Sequence, residues 1–229
     1  MRRYTSLNGL GGALRRCVGT RARRWLVAGI LLLGAAAAAA LGAAVAPPDR
    51  TFAVLSDPVQ SLMSVLVPLL GILLVRDLRG APGEARLAPT LSAAVLVAAA
   101  FGAFGAAACA VALAVAPADA AQDPWAHAGV VAVGGVLVQV VAQLIGTGLG
   151  LLLRSAPVAF LATFLPLALW LGLGAVDALR PAQDWLTPYE AARHLLSGVM
   201  GTVAWLQWLT VVLIWVVGLN AAGAARTRR

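Results

Sequence analysis

The sequence predicts an all-α, polytopic membrane protein: six transmembrane helices, an N-terminal amphipathic interfacial helix and a short outer helix before the last span. Three observations carry this. Six long apolar stretches, at residues 25–46, 58–75, 90–116, 128–153, 157–176 and 199–221, hold almost no ionisable residues. Each is long enough to cross a bilayer, at about 20 residues per span and ~1.5 Å rise per residue. The composition agrees, with 61% hydrophobic and 11% charged residues against roughly 25% charged in a soluble domain, and a mean hydropathy of +0.90. The chain therefore divides into a segment 1–24 with the amphipathic helix, a six-span domain 25–222 and a basic tail 223–229.

The third observation is where the charge sits. The net charge is +8, and all 17 basic residues are Arg; Lys is absent. Seven precede the first span (Arg2, Arg3, Arg15, Arg16, Arg21, Arg23, Arg24), and Arg76, Arg79, Arg86, Arg154, Arg226, Arg228 and Arg229 fall on the same side, with Asp77 and Glu84 its acids. The opposite side has Arg50, Arg180 and Arg193 against Asp49, Asp57, Asp119, Asp123, Asp177, Asp184 and Glu190. The positive-inside rule then puts both termini in the cytoplasm, with an even number of spans. Charge placed this way addresses the lipid bilayer, and no nucleic-acid partner is expected. Cys17 and Cys109 fall in the N-terminal segment and in span three, so neither a disulfide between them nor a thiolate metal site is expected.

The elements follow in order. Leu7, Leu10, Leu14, Val18 and Trp25 fall near one face at helical spacing while Arg15, Arg16 and Arg23 point elsewhere. That describes a helix on the inner leaflet; the glycines among these residues equally suit a basic tail that only enforces topology. Arg2-Arg3 and Ala44-Val45-Ala46 resemble parts of an export signal, but the apolar run is too long and Pro47-Pro48 follows it, so residues 1–46 are expected to be retained. Ser56-Asp57-Pro58 reads as a cap with Pro at the first position of span two, and Pro68 implies a kink. Gly102 and Gly105 permit close contacts of span three. Asp123-Pro124 caps span four, where Gln139, Gln143 and Thr147 recur at i, i+4 and i+8. That stripe has two readings: interhelical hydrogen bonds, or part of a translocation path. Gly146 and Gly150 form a small-xxx-small pair. Span five starts at Pro157 and holds Pro166. Thr187-Pro188-Tyr189-Glu190 matches a capping box and Gly198 a C-cap, which predicts a helix over 188–197. Trp185, Tyr189, Trp205 and Trp208 mark an outer aromatic belt.

Missing residues exclude whole classes. Without Lys there is no Walker A motif, so the chain is no P-loop ATPase. There is no HExxH, no GxSxG and no paired intramembrane Asp, and His127 and His194 are both placed outside. No titratable group is apparent inside a span, as a proton-coupled carrier would need. The chain is thus not expected to be an enzyme, and it carries no cofactor of its own.

Three stretches resemble the membrane subunit of ABC-2-type transporters: Val67–Gly80, an apolar span running into mixed charges; Gly148–Ser155, the exit of span four; and Leu186–Tyr189 through His194–Gly198, before the last span. The resemblance covers nearly the whole chain. It implies a half-transporter, in which two six-span permease subunits, identical or different, pair with two ATP-binding subunits that hold ATP and Mg2+. Arg76, Asp77, Leu78, Arg79, Glu84 and Arg86 would couple to the ATPase, with Arg15, Arg16 and Arg23 on the connecting N-terminal helix. Gln139, Gln143 and Thr147 would face the translocation path. Trp185, Tyr189, Glu190, Arg193 and His194 would stand at the outer gate. The family's segment before span three is often longer and more basic; here it shortens to Glu84–Pro89. Two rivals stand beside this reading. One is a non-transporting polytopic protein (an immunity, assembly or scaffold factor). The other is a membrane-embedded enzyme, which requires a polar cluster converging within the bilayer.

Overall fold

The computed structural model describes residues 9–80, 87–116, 121 and 123–227. Leu7, Glu84 and Arg86 lie outside them. Among the described residues every element is helical, and six helices are long and apolar enough to cross a membrane. The protein is a multi-pass membrane protein.

A short helix α1 (Leu10–Cys17) comes first. Gly12, Ala13 and Cys17 bury their small side chains against the bundle, while Leu10, Leu14 and Val18 stay partly or largely exposed. In a lipid solvent that arrangement is sound, since small residues allow close backbone approach and the larger apolar chains meet lipid. The Cys17 thiol donates to the Ala13 carbonyl at 3.5 Å. Burial pushes its pKa up, and the neighbouring Arg23 charge pulls it partly back.

The first span, α2 (Arg21–Ala44), begins earlier than the hydropathy indicates, because Thr20 caps it by accepting from the Arg23 N–H at 3.3 Å. Arg23, expected on the interfacial helix, therefore belongs instead to the first turn of a spanning helix. A single helix α3 (Phe52–Gly80) carries span two. It starts six residues before Pro58, so Ser56-Asp57-Pro58 is helix interior and not a cap. The helix also runs on through Arg76, Asp77, Leu78 and Arg79. Spans three and four are α4 (Leu87–Ala114) and α5 (Ala128–Leu152). Asp123-Pro124 does not cap α5. His127 precedes it in the left-handed region, φ 56°, without a side-chain cap.

Span five is broken into α6 (Ala156–Ala162) and α7 (Leu165–Gly174). Pro166 has no N–H to give to the Ala162 carbonyl, and the break falls just before it, at Thr163 and Phe164. Two short pieces follow, a 3-10 turn at Asp177–Ala182 and α8 (Gln183–Leu186), then α9 (Pro188–Ser197). The α9 limits match the expected 188–197, and Gly198 closes it at φ 77°. The capping box does not form: the Thr187 hydroxyl donates to Gln183 at 2.8 Å, and Glu190 turns to Trp170 instead. The last span comprises α10 (Thr202–Val211), a π-helical turn at Val212–Gly218, and α11 (Leu219–Thr227).

α3 and α5 form the axis of the bundle. In the most apolar stretch of α3, 56% of residues are buried, against 11% in span five. On one side Ile30, Leu55, Met63, Phe101 and Cys109 knit α2, α3 and α4 together. On the other, Ile72, Val141, Leu195, Trp208 and Val211 join α3 and α5 to α9 and α10. The axis is closely spaced because glycines face backbone. A Cβ on Gly71 of α3 would lie 2.6 Å from the Gln143 carbonyl oxygen of α5, and α4 meets α5 as closely, where a Cβ on Gly102 would lie 2.5 Å from the Val136 Cα.

Polar side chains bridge the same contacts. Gln139 donates to both the carbonyl and the side-chain oxygen of Gln60, at 2.8 and 2.9 Å, and Gln60 donates to the Gly102 carbonyl at 2.9 Å. The Gln143 amide fits with its NH2 on the Val67 carbonyl and its oxygen accepting from the Gly71 N–H at 3.2 Å. Thr147 donates to Asn220 Oδ1 at 2.8 Å, and Asn220 donates to Leu144 at 2.8 Å, tying α11 to α5. Such bonds average about 0.6 kcal/mol in membranes. Gln139→Leu breaks two at once and strands the Gln60 oxygen, so a loss of about 1 kcal/mol is expected. Unfolding of the purified variant in detergent checks this; unchanged stability would show the network to be idle.

Candidate functional site

The outer segment sits deeper than its sequence indicates. The C-terminal end of α9 lies at the far end of α5, where a Cβ on Gly134 would come within 2.8 Å of the Leu195 carbonyl. Its other end descends into the bundle: Tyr189 packs on Trp170 of α7 with ring centroids 4.7 Å apart. The Leu186 carbonyl accepts from Trp215 Nε1 at 2.8 Å. Trp215 lies about 20 Å along a helix that starts at Thr202. Residues 183–197 thus re-enter the bundle instead of lying across its end.

This re-entry, together with the break in span five, leaves a cavity of about 610 Å³ between α3, α5, α6–α7, α9 and α10. Most of its wall is apolar, including Val65, Val138, Val141, Ile145, Phe164 and Leu167. A polar stripe runs down α3, where Asp57, Ser61 and Ser64 recur at i, i+4 and i+7. Tyr189 and Arg193, one turn apart on α9, face the same space. Asp57 is half-buried; the Ser61 hydroxyl donates to it and Arg193 acts on it through charge. Among the described residues Asp57 closes no ion pair, while Arg193 makes a loose contact of 3.5 Å with Glu190. Asp57 falls within the apolar helix Phe52–Leu78. That corrects the expectation that no titratable group sits inside a span.

Beside the cavity, donor atoms of Asp184, Glu190 and His194 lie within 4.8 Å of one another, all half-buried. Two carboxylates and an imidazole are ligand types that suit a divalent transition metal. Glu190, however, is already engaged, accepting from Trp170 Nε1 at 3.1 Å and pairing with Arg193. The Glu190 bond to Trp170 holds α9 to α7.

The other expected site residues fall elsewhere. Gln139, Gln143 and Thr147 are fully buried in the helix contacts described above and do not line the cavity. Trp185 and Trp205 are exposed as a belt would be, but Trp208 is buried and walls the cavity. At the other end Arg15 and Arg76 are exposed. Arg23 is only 8% exposed. Its guanidinium forks onto Asp77 at 2.8 and 2.9 Å and also donates to the carbonyls of Arg16 at 2.7 Å and Leu73 at 2.8 Å. One side chain thereby ties α1, α2 and the end of α3 together. No protein-family model, curated protein or solved structure matches the chain.

Sequence reasoning placed Asp57 in a cap, and it passed over Gln60, Trp170 and Asn220. A signal existed for Asn220, one of two amides, with Gln207, in the last apolar run. Asp57 had one too: it follows Phe52–Leu55, so a helix starting at Phe52 carries it inside.

Proposed function

We propose that the chain is the membrane-spanning permease subunit of an ATP-driven transporter of the ABC type, probing its cargo through the cavity beside the broken span five. The observation that carries this reading is that cavity, bounded by an interrupted helix and a re-entrant segment. Interrupted helices around a pocket inside the bundle are the usual means by which transporters expose a site to alternate sides. The energy source has to be a partner, because a chain without Lys has no P-loop. In this reading both termini face the bacterial cytoplasm, a second permease subunit completes the path, and ATP and Mg2+ bind the separate subunit. The cytoplasmic end of α3, from Arg76 onward, passes the movement to the spans, and the direction is export.

The test is affinity purification of the tagged chain in mild detergent, with ATPase activity measured on what co-purifies. Arg76→Glu and Arg79→Glu are the variants, with Asp77 left intact because it holds Arg23. Co-purification of a P-loop ATPase whose recovery or activity falls in the variants is expected. A chain that purifies without any ATPase would overturn the proposal and favour the helix-packing rival.

A further inference from the structure

We infer that the cavity takes a zwitterionic amphiphile, its cationic group beside Asp57, its anionic group beside Arg193 and its chain along the apolar wall. The inference takes from the proposed function only that this cavity holds ligand. Its volume, about 610 Å³, falls within the ~300–1,000 Å³ of ordinary ligand sites. Its wall divides by chemistry: Asp57, Ser61, Ser64, Thr163, Tyr189 and Arg193 supply polar groups, and the rest is aliphatic or aromatic.

The decisive feature is the pair of opposite charges that face one cavity without joining. A carboxylate in apolar surroundings is costly unless it is paired and hydrogen-bonded. Asp57 has the Ser61 hydroxyl and a distant Arg193, but no ion pair among the described residues. Arg193 leans 3.5 Å from Glu190, with 54% of its side chain exposed, so it can turn to a ligand. A ligand with one charge satisfies one of these groups and crowds the other. A ligand with both charges satisfies both, and its zero net charge lightens its transfer from the bilayer. Tyr189 and Trp208 line the same wall, and aromatic rings attract an ammonium group.

The experiment is native mass spectrometry of the full chain in a non-ionic maltoside detergent, without nucleotide. Four probes are titrated: a lysophosphatidylcholine, an anionic lysophosphatidylglycerol and a cationic alkyltrimethylammonium of the same chain length, and free phosphocholine. The zwitterion should bind about tenfold more tightly than either singly charged probe, a difference of about 1.4 kcal/mol. Asp57→Asn should bring the zwitterion down to the anionic probe, and Arg193→Gln should bring it down to the cationic one. Opposite losses of selectivity in the two variants are a signature that misfolding does not produce. Equal binding of a singly charged probe to the unmodified chain, or selectivity unchanged in both variants, overturns the inference. Free phosphocholine binding as tightly as the lysolipid overturns its amphiphile part. An ATPase that co-purifies without this selectivity would leave the transporter reading standing and remove the zwitterion. Selectivity without an ATPase would do the reverse.

Discussion

Arg23→Ala and Asp77→Asn are each expected to destabilise the purified chain by about 3 kcal/mol, read as a clear fall in its melting temperature in detergent. Arg23 is buried and makes four hydrogen bonds of 2.7 to 2.9 Å, two of them to Asp77. Removing either partner strands a charge that water reaches poorly, which costs more than the pair gains. The lower end of the usual range is taken because the Asp77 side chain is 30% exposed. Arg23→Lys should recover only part of the loss, since an ammonium cannot match a planar fork on a carboxylate and two carbonyls together. The double variant Arg23→Ala/Asp77→Ala should be more stable than the sum of the single losses predicts, because it strands no charge. Single variants that melt with the unmodified protein would show that this contact does not hold α1 and α2 to α3.

The same residue shows how far the sequence could be read. Six spans were legible because hydropathy sums over single residues, and each run is long enough to outvote local exceptions. The outer helix was legible at both ends for a local reason: Pro188 fits a first turn, and Gly198 supplies the positive φ of the cap. Arg23 was not legible, because its role depends on Asp77, 54 residues away, and no periodicity encodes that pairing. Asp57 was misplaced for a different reason. Ser-Asp-Pro is a good cap in isolation, but the cap that forms is Thr51, whose hydroxyl accepts from the Val54 N–H at 3.3 Å, and with Phe52 seated against Trp125, centroids 6.0 Å apart, the helix starts six residues earlier. The stripe Gln139–Gln143–Thr147 was found correctly as one face, but a stripe of polar residues does not say whether it meets water or another helix. Here Gln60, Val67 and Asn220 answer it.

Gly146→Leu is expected to abolish recovery of a monodisperse protein, and Gly146→Ala to lower its melting temperature markedly. A Cβ on Gly146 would press on the Pro68 backbone of α3, 2.6 Å from its Cα, with the carbonyl oxygen closer still. Four residues on, a Cβ on Gly150 would lie 3.0 Å from the Ile72 Cα. Backbone cannot swing aside as a side chain can, so α5 must back away from α3 along its length. That would also break the Gln143 bonds to Val67 and Gly71. Gly172→Ala supplies the control, since a Cβ there meets nothing within 4 Å. It should leave the protein as stable or raise it by about 0.5–1 kcal/mol, as replacing an unobstructed helical glycine does. Opposite signs from the same chemical change would show that contact, not propensity, fixes the α3–α5 distance. A Gly146→Ala protein that melts with the unmodified one would mean that the two helices can separate at little cost. The cavity wall they share would then have no fixed axis to be built on.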